Sequence, residues 1–367
     1  MRTIAFRKIA AGCALAATAG WAWAAAPLYD VSCLDCSLGV AVMPMSINAA
    51  GVVVGIADAG CYFPLLCYDE QGYVFDHGIV TATPSFDEGN LGSSAVAIND
   101  LGTVVGSAGH TQYPWGPFGY AWDGTTIVDL GDGINHYGDG YWSRATSVNN
   151  RGHISGHASG GYHDVELFIY KNGRMKRLPP LEGAHTQFPF WYVRMNDKDH
   201  IVGTSVDNFD DTLRAWIYKD GVVTPLATDT YRSEAYGVNA RDEVVGYKRV
   251  YQDESRQTWN DWAVVWCQGG TTLLNTLPGF SFRGEAYDVN DRGWVVGDTC
   301  GQDACTPFVY NRHRMFDLNT RMSASGAGWV LVHASAINDA GIIVGTGTFG
   351  GELHAFVATP VAAMGAQ

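Results

Sequence analysis

One nine-residue pattern occurs seven times along this 367-residue chain, and it restricts the fold more than any other feature. Its first copy is Ile47-Asn48-Ala49-Ala50-Gly51-Val52-Val53-Val54-Gly55; the others are built on Asn99, Asn149, Asn196, Asn239, Asn290 and Asn338. The asparagines step by 51, 50, 47, 43, 51 and 48 residues. Periods in this range mean one supersecondary unit, stacked or arrayed radially. Asn favours the first position of a type I turn and Gly the fourth, where a positive φ is tolerated. The residues before each Asn alternate as in a strand, and Val-Val-Gly after it reads as the return strand. Asn-x-x-Gly is therefore the tip of a tight hairpin. Asp199 and Asp242 replace the glycine in two copies, and Asp is among the few side chains that visit the left-handed region.

A second block follows each hairpin. It is an apolar strand carrying aromatics, as in Leu167-Phe168-Ile169-Tyr170, Ala215-Trp216-Ile217-Tyr218 and Pro307-Phe308-Val309-Tyr310. Turn dipeptides come next (Asp123-Gly124, Asn172-Gly173, Asp220-Gly221), then a last short strand such as Met315-Phe316-Asp317-Leu318. Each unit is thus four antiparallel strands, and no helical periodicity appears after the N-terminal segment. Four strands in some 48 residues, seven times over, predict an all-β, seven-bladed β-propeller. Blades converge at the axis, so the innermost strand should be small-sided; Ala95, Ala145, Ala235, Ala286 and Ala334 each sit four residues before their Asn. The last repeat stops after its third strand, at Phe356-Val357, while Leu28-Tyr29-Asp30-Val31 is a spare fourth strand. The N-terminal strand is expected to pair into the last blade and close the ring, removing an exposed edge.

The recurring A-x-x-I-N-x-x-G-x-V-V-G, with His354-Ala355-Phe356 in the last third strand, resembles the HAF repeats of bacterial extracellular proteins. The resemblance covers residues 28–358. It implies an exported protein, and it carries no catalytic residues over to this chain.

Residues 1–24 read as a signal peptide. Arg2, Arg7 and Lys8 precede an Ala-rich apolar stretch, and Ala22-Trp23-Ala24 is an A-x-A cleavage signal. Residues 25–367 form the single propeller domain, in the periplasm or outside the cell. Loss of the three cations takes the net charge from −14 to −17, which excludes nucleic acid as the main partner. No stretch of the remaining chain reads as a transmembrane segment. Export permits disulfides. Cys33/Cys36, Cys61/Cys67 and Cys300/Cys305 are close enough in sequence to staple short loops, leaving Cys267 free or intermolecular. Cys33-Leu34-Asp35-Cys36 has C-x-x-C spacing but no βαβ context, so it reads as a staple. Zinc would need further Cys or His at ligand spacing, and these are scattered. No cofactor or metal is expected.

Four-strand blades put one class of turn on each rim. The first is tight here. The second, over 107–117, 131–143, 179–191 and 247–261, is long and rich in aromatics. Function concentrates on such loops, so Tyr113, Trp115, Tyr137, Tyr141, Trp142, Phe190, Trp191 and Trp259 are the candidate ligand-binding residues. Exposed Trp and Tyr beside Asp, Asn and His suit a sugar ring or a protein partner. Asp132, His136, Asp139, His163, Asp164, His185, Asp207, Asp210 and Asp211 share that rim, but no spacing ties them to a mechanism, and no hydrolase, zinc-protease, EF-hand or phosphate-loop motif occurs. The expectation is a noncatalytic binding module for a glycan or protein. The alternative is a polysaccharide-acting lyase or hydrolase with its site at the channel mouth.

Overall fold

The computed structural model describes residues 27–57, 70–86, 92–109, 116–131, 142–159, 165–179, 193–207, 212–252, 258–267 and 270–361. The predicted signal peptide, 1–24, lies outside them. The described chain is all-β apart from two short 3-10 turns, Leu318–Arg321 and Ala324–Gly326. No described helix is long and apolar enough to cross a membrane.

The strands form four-stranded antiparallel sheets in chain order, spanning 42–82, 93–129, 143–177 and 194–225. Two further sets of four, 233–273 and 283–317, are joined by a single parallel bridge between Asp261 and Arg283. In the last sheet Trp329–Ile337, Ile343–Phe349 and Glu352–Pro360 are followed, at the outer edge, by Tyr29–Cys33. That N-terminal strand runs antiparallel to Glu352–Pro360, with Tyr29 opposite Pro360 and Cys33 opposite Phe356.

The Asn turns have the expected geometry. Gly51 N–H donates to the Asn48 carbonyl at 3.0 Å, and Asn48 Oδ1 accepts the Val52 N–H at 2.9 Å. Gly51 has φ +85°, and the substitutes Asp199 and Asp242 hold φ +64° and +62°. The side-chain amide reaches further. Asn48 Nδ2 donates to the carbonyl of Asn99, Asn99 to Asn149, Asn149 to Asn196, Asn196 to Asn239, Asn239 to Asn290 and Asn290 to Asn338, all within 3.2 Å. Asn338 then donates to Asn48 at 2.9 Å, returning the series to its start. The next residue adds an outer set. Asp100, Asn150, Asp197, Asp291 and Asp339 each accept, through Oδ1, the backbone N–H of the residue after the preceding Asn. These four carboxylates and the Asn150 amide serve the turns.

The second-strand glycines have a steric cause. Ala95 pairs with Gly106, Ala145 with Gly156, Ala235 with Gly246, Ala286 with Gly297 and Ala334 with Gly345. All five alanines are fully buried. A Cβ at Gly106 would run into the Ser94 carbonyl, and one at Gly246 into that of Glu234. The larger side chains Tyr120, Phe168, Trp216, Phe308 and Phe356 are almost wholly buried as well.

Two cysteine pairs are disulfides, Cys33–Cys36 and Cys300–Cys305; Cys61 and Cys67 lie outside the described residues. Cys267 is not the free thiol that the pairing by proximity left over, because it too is disulfide-bonded. A second correction concerns 247–261. Much of this stretch is not loop: Val244–Tyr251 and Trp259–Cys267 continue as a paired hairpin, with Tyr251 opposite Trp259.

Candidate functional site

The first strand of most sheets carries a β-bulge at one place. Register slips between Pro44 and Ser46, Ala95 and Ala97, Ala145 and Ser147, Ala235 and Gly237, Ala286 and Asp288, and Ala334 and Ala336. A bulge re-aims side chains and is frequent near functional sites. Five of the bulged residues, Met45, Val96, Thr146, Tyr287 and Ser335, line one cavity of about 420 Å³. Residues from the first strands of all seven repeats contribute to its wall, Arg194 and Gly237 supplying the remaining two.

The wall is uneven. The sheets of 42–82 and 93–129 present Met43, Met45, Ser94 and Val96; those of 143–177 and 194–225 present Arg144, Thr146 and Arg194; the last two present Tyr287, Asp288, His333 and Ser335. Behind Tyr287 and His333 lies a dense polar cluster. Asp298 Oδ2 is 2.6 Å from His333 Nδ1, and its other oxygen accepts the Ala334 N–H at 3.2 Å. The Tyr287 hydroxyl donates to Glu285 at 2.6 Å. Glu234 accepts from Tyr247 at 2.7 Å and from Tyr236 at 3.2 Å. The rings of Tyr236 and Tyr287 stack with centroids 5.5 Å apart, and Tyr287 meets His333 edge-on at 4.8 Å.

These contacts perturb the titrating groups. Burial opposes charge on His333, but the Asp298 carboxylate outweighs it and holds the imidazole above its ordinary value. Burial raises Glu234, assisted by the charge of Glu285 and opposed by the tyrosine hydroxyls. Asp288 is raised by burial, against hydrogen bonds from the backbone of Ile337 and Val289. His157, also on the cavity wall, is driven down to about 3 by burial and then by the charge of Arg144. The cavity wall thus brings together hydroxyl groups, two arginines, Tyr287 and a histidine that is hydrogen-bonded to Asp298 behind it.

Of the rim aromatics, Tyr113, Trp115, Tyr137, Tyr141, Phe190 and Trp191 lie outside the described residues. So do the rim groups Asp132, His136, Asp139, His163, Asp164, His185, Asp210 and Asp211; Asp207 ends the strand Ile201–Asp207. Trp142 lies edge-on to the buried His157, with ring centroids 5.4 Å apart. Trp259 is 39% exposed and lies under the Arg249 guanidinium at 4.8 Å. Trp142 immediately precedes the first strand of the sheet of 143–177, and Trp259 begins a strand of the sheet of 233–273. Nearly all the residues lining the cavity lie on strands, not on the long loops that the sequence singles out. A signal existed: Glu-Ala-Tyr recurs at 234–236 and 285–287, and the positions five and three before each Asn carry charged or aromatic residues in these repeats while the intervening Ala does not change.

The Cys33–Cys36 staple is formed, and two further potential metal ligands lie beside it. Cys33, Asp35, Cys36 and His354 each place a ligand atom within 4.8 Å of the others. The sequence shows only the C-x-x-C; the histidine arrives from the far end of the chain.

No protein-family model matches the chain, and no curated protein matches it. Solved structures do. The β-propeller domain of the Trilobed protease from Pyrococcus furiosus, described as having an open velcro topology, aligns with a TM-score of 0.56 at 8% identity, over 93% of this chain and 97% of that one. A Mycobacterium tuberculosis puromycin-hydrolyzing peptidase aligns at 0.53 and 12% identity, and the Pyrococcus horikoshii acylaminoacyl peptidase at 0.55 and 7%. This chain is 90% covered in both, yet spans about half of either peptidase (53%). The likeness defines the class: the chain is a β-propeller of four-stranded sheets.

Proposed function

We propose that the protein is an exported, closed, seven-bladed propeller that binds a sugar-sized polar ligand, such as the end of a glycan, in its axial channel. The closed ring is supported by the unbroken series of Asn-to-carbonyl hydrogen bonds, by the seven repeats around one cavity, and by the seating of Tyr29–Cys33 on Glu352–Pro360. Export is supported by the A-x-A signal at residues 22–24 and by the disulfides.

The binding reading rests on one observation. Tyr287 and His333 line the same cavity as Arg144 and Arg194, which come from other sheets. Sugars are held in this way: apolar ring faces stack, and hydroxyls find charged hydrogen-bonding partners. A cavity of about 420 Å³ takes one or two sugar rings. It is too narrow for a folded protein, whose contact would be confined to a protruding end.

A catalytic reading has its own observation. Asp298 orients His333, and Glu285 holds the Tyr287 hydroxyl, which is how an acid–base pair is positioned for polysaccharide elimination or hydrolysis. A glycan array combined with product analysis separates the readings. Binding without product supports the module, product supports the enzyme, and neither binding nor product over a broad array overturns both.

A further inference from the structure

We propose that Cys33, Asp35, Cys36 and His354 form a zinc-type metal site that is shut by the Cys33–Cys36 disulfide and opened by its reduction. The site is independent of the channel. Cys33 ends the N-terminal strand, Asp35 and Cys36 lie in the turn after it, and His354 belongs to the strand on which that terminus is seated. Their ligand atoms lie within 4.8 Å of one another. A tetrahedral zinc site needs donors roughly 3.3–3.8 Å apart, from bonds of about 2.0–2.3 Å. Reduction lets the two bonded sulfurs part to that spacing, while the longest separation in the set shortens by about 1 Å.

The hydrogen bonding already has the shape of a ligand shell. Asp35 is buried, at 1% exposure. Its Oδ2 accepts from Val42 N–H at 2.8 Å and Ala355 N–H at 3.0 Å, which fixes the carboxylate. Its Oδ1 lies 3.0 Å from His354 Nδ1. A metal ion takes the place of the proton between those two atoms, while the backbone donors remain as the supporting shell. Cys36 is exposed, which gives reductant and ion a way in. Two thiolates with an imidazole and a carboxylate select zinc over magnesium or calcium.

The chemistry balances with an external dithiol as co-reactant. It transfers two electrons and two protons to the Cys33–Cys36 disulfide and becomes a disulfide itself. The two new thiols release their protons to solvent when the metal binds.

The full chain is reduced anaerobically with dithiothreitol, freed of reductant and titrated with Co²⁺, whose thiolate charge-transfer absorption reports the ligands. The reduced wild type is expected to bind one equivalent more than Cys36→Ser, and the oxidised protein to show no such band. His354→Ala should weaken binding by about tenfold or more, whereas Cys300→Ser should keep the full signal. Zn²⁺ should raise the melting midpoint of the reduced wild type and not that of reduced Cys36→Ser. Identical Co²⁺ titrations for wild type and Cys36→Ser, or an unchanged affinity in His354→Ala, would overturn the proposal, as would a reduced wild type that binds no metal.

Discussion

The side-chain amide of Asn338 donates to the backbone carbonyl of Asn48, 2.9 Å away and 290 residues earlier in the chain. The same residue's Oδ1 accepts the Ile342 N–H within its own turn. One asparagine thus shapes a hairpin tip and links the last repeat to the first.

Asn338→Ala removes both bonds and leaves buried backbone groups unpaired. It should cost about 1–3 kcal/mol in urea denaturation. The same change at Asn319, which is outside the series, would test a different local contact and makes a useful comparison.

Asp242 occupies a glycine position at φ +62° and is held there by its partners. Burial raises its pKa, but hydrogen bonds from Lys219, His200 and Asn196 outweigh this and hold the carboxyl at about 2. A depressed carboxylate stabilises above its ordinary value and loses that stabilisation as pH falls through the folded one. Asp242→Gly relieves the backbone but breaks the network. The variant should be about 1 kcal/mol less stable at pH 7, and the gap should close toward pH 2, as read by denaturation at several pH values.

His157 gives the complementary test. Its folded value of about 3 lies below the ordinary 6.5, so the unfolded chain binds the extra proton between them. Stability is full above about pH 6.5 and falls below it. Roughly 2 kcal/mol should be lost between pH 7 and pH 5. His157→Phe should flatten that part of the profile.

Gly246 lies opposite Ala235, where a Cβ would strike the Glu234 carbonyl. Gly246→Ala should cost about 3 kcal/mol or more, or prevent folding. Gly221, an open turn glycine with φ +89°, should cost less on the same change. Melting curves of the two variants decide.

Much of this architecture was legible because the fold repeats. Asn-x-x-Gly named the turn, Ala95 and its equivalents named the inner strand, and the orphan strand at 28–31 named its partner. The role of Asn beyond its own turn was hidden, since a side-chain amide reaching the next repeat leaves no mark in local sequence. The site was less legible. Trp142 meets the His157 ring edge-on, a contact that nothing in its local sequence marks. Tyr287 and His333 line the cavity beside bulges in their strands, which local sequence does not announce. His354 joined Cys33 and Cys36 only through the pairing of the two chain ends.

The central claim is that ligand recognition takes place in the channel. It is tested most directly by calorimetric titration of the best array glycan into the wild type, Tyr287→Ala, His333→Ala and Trp259→Ala. The account predicts at least a tenfold loss of affinity, about 1.4 kcal/mol, for each of the two channel variants and none for Trp259→Ala. Wild-type affinity in both channel variants, with binding lost in Trp259→Ala, would contradict it.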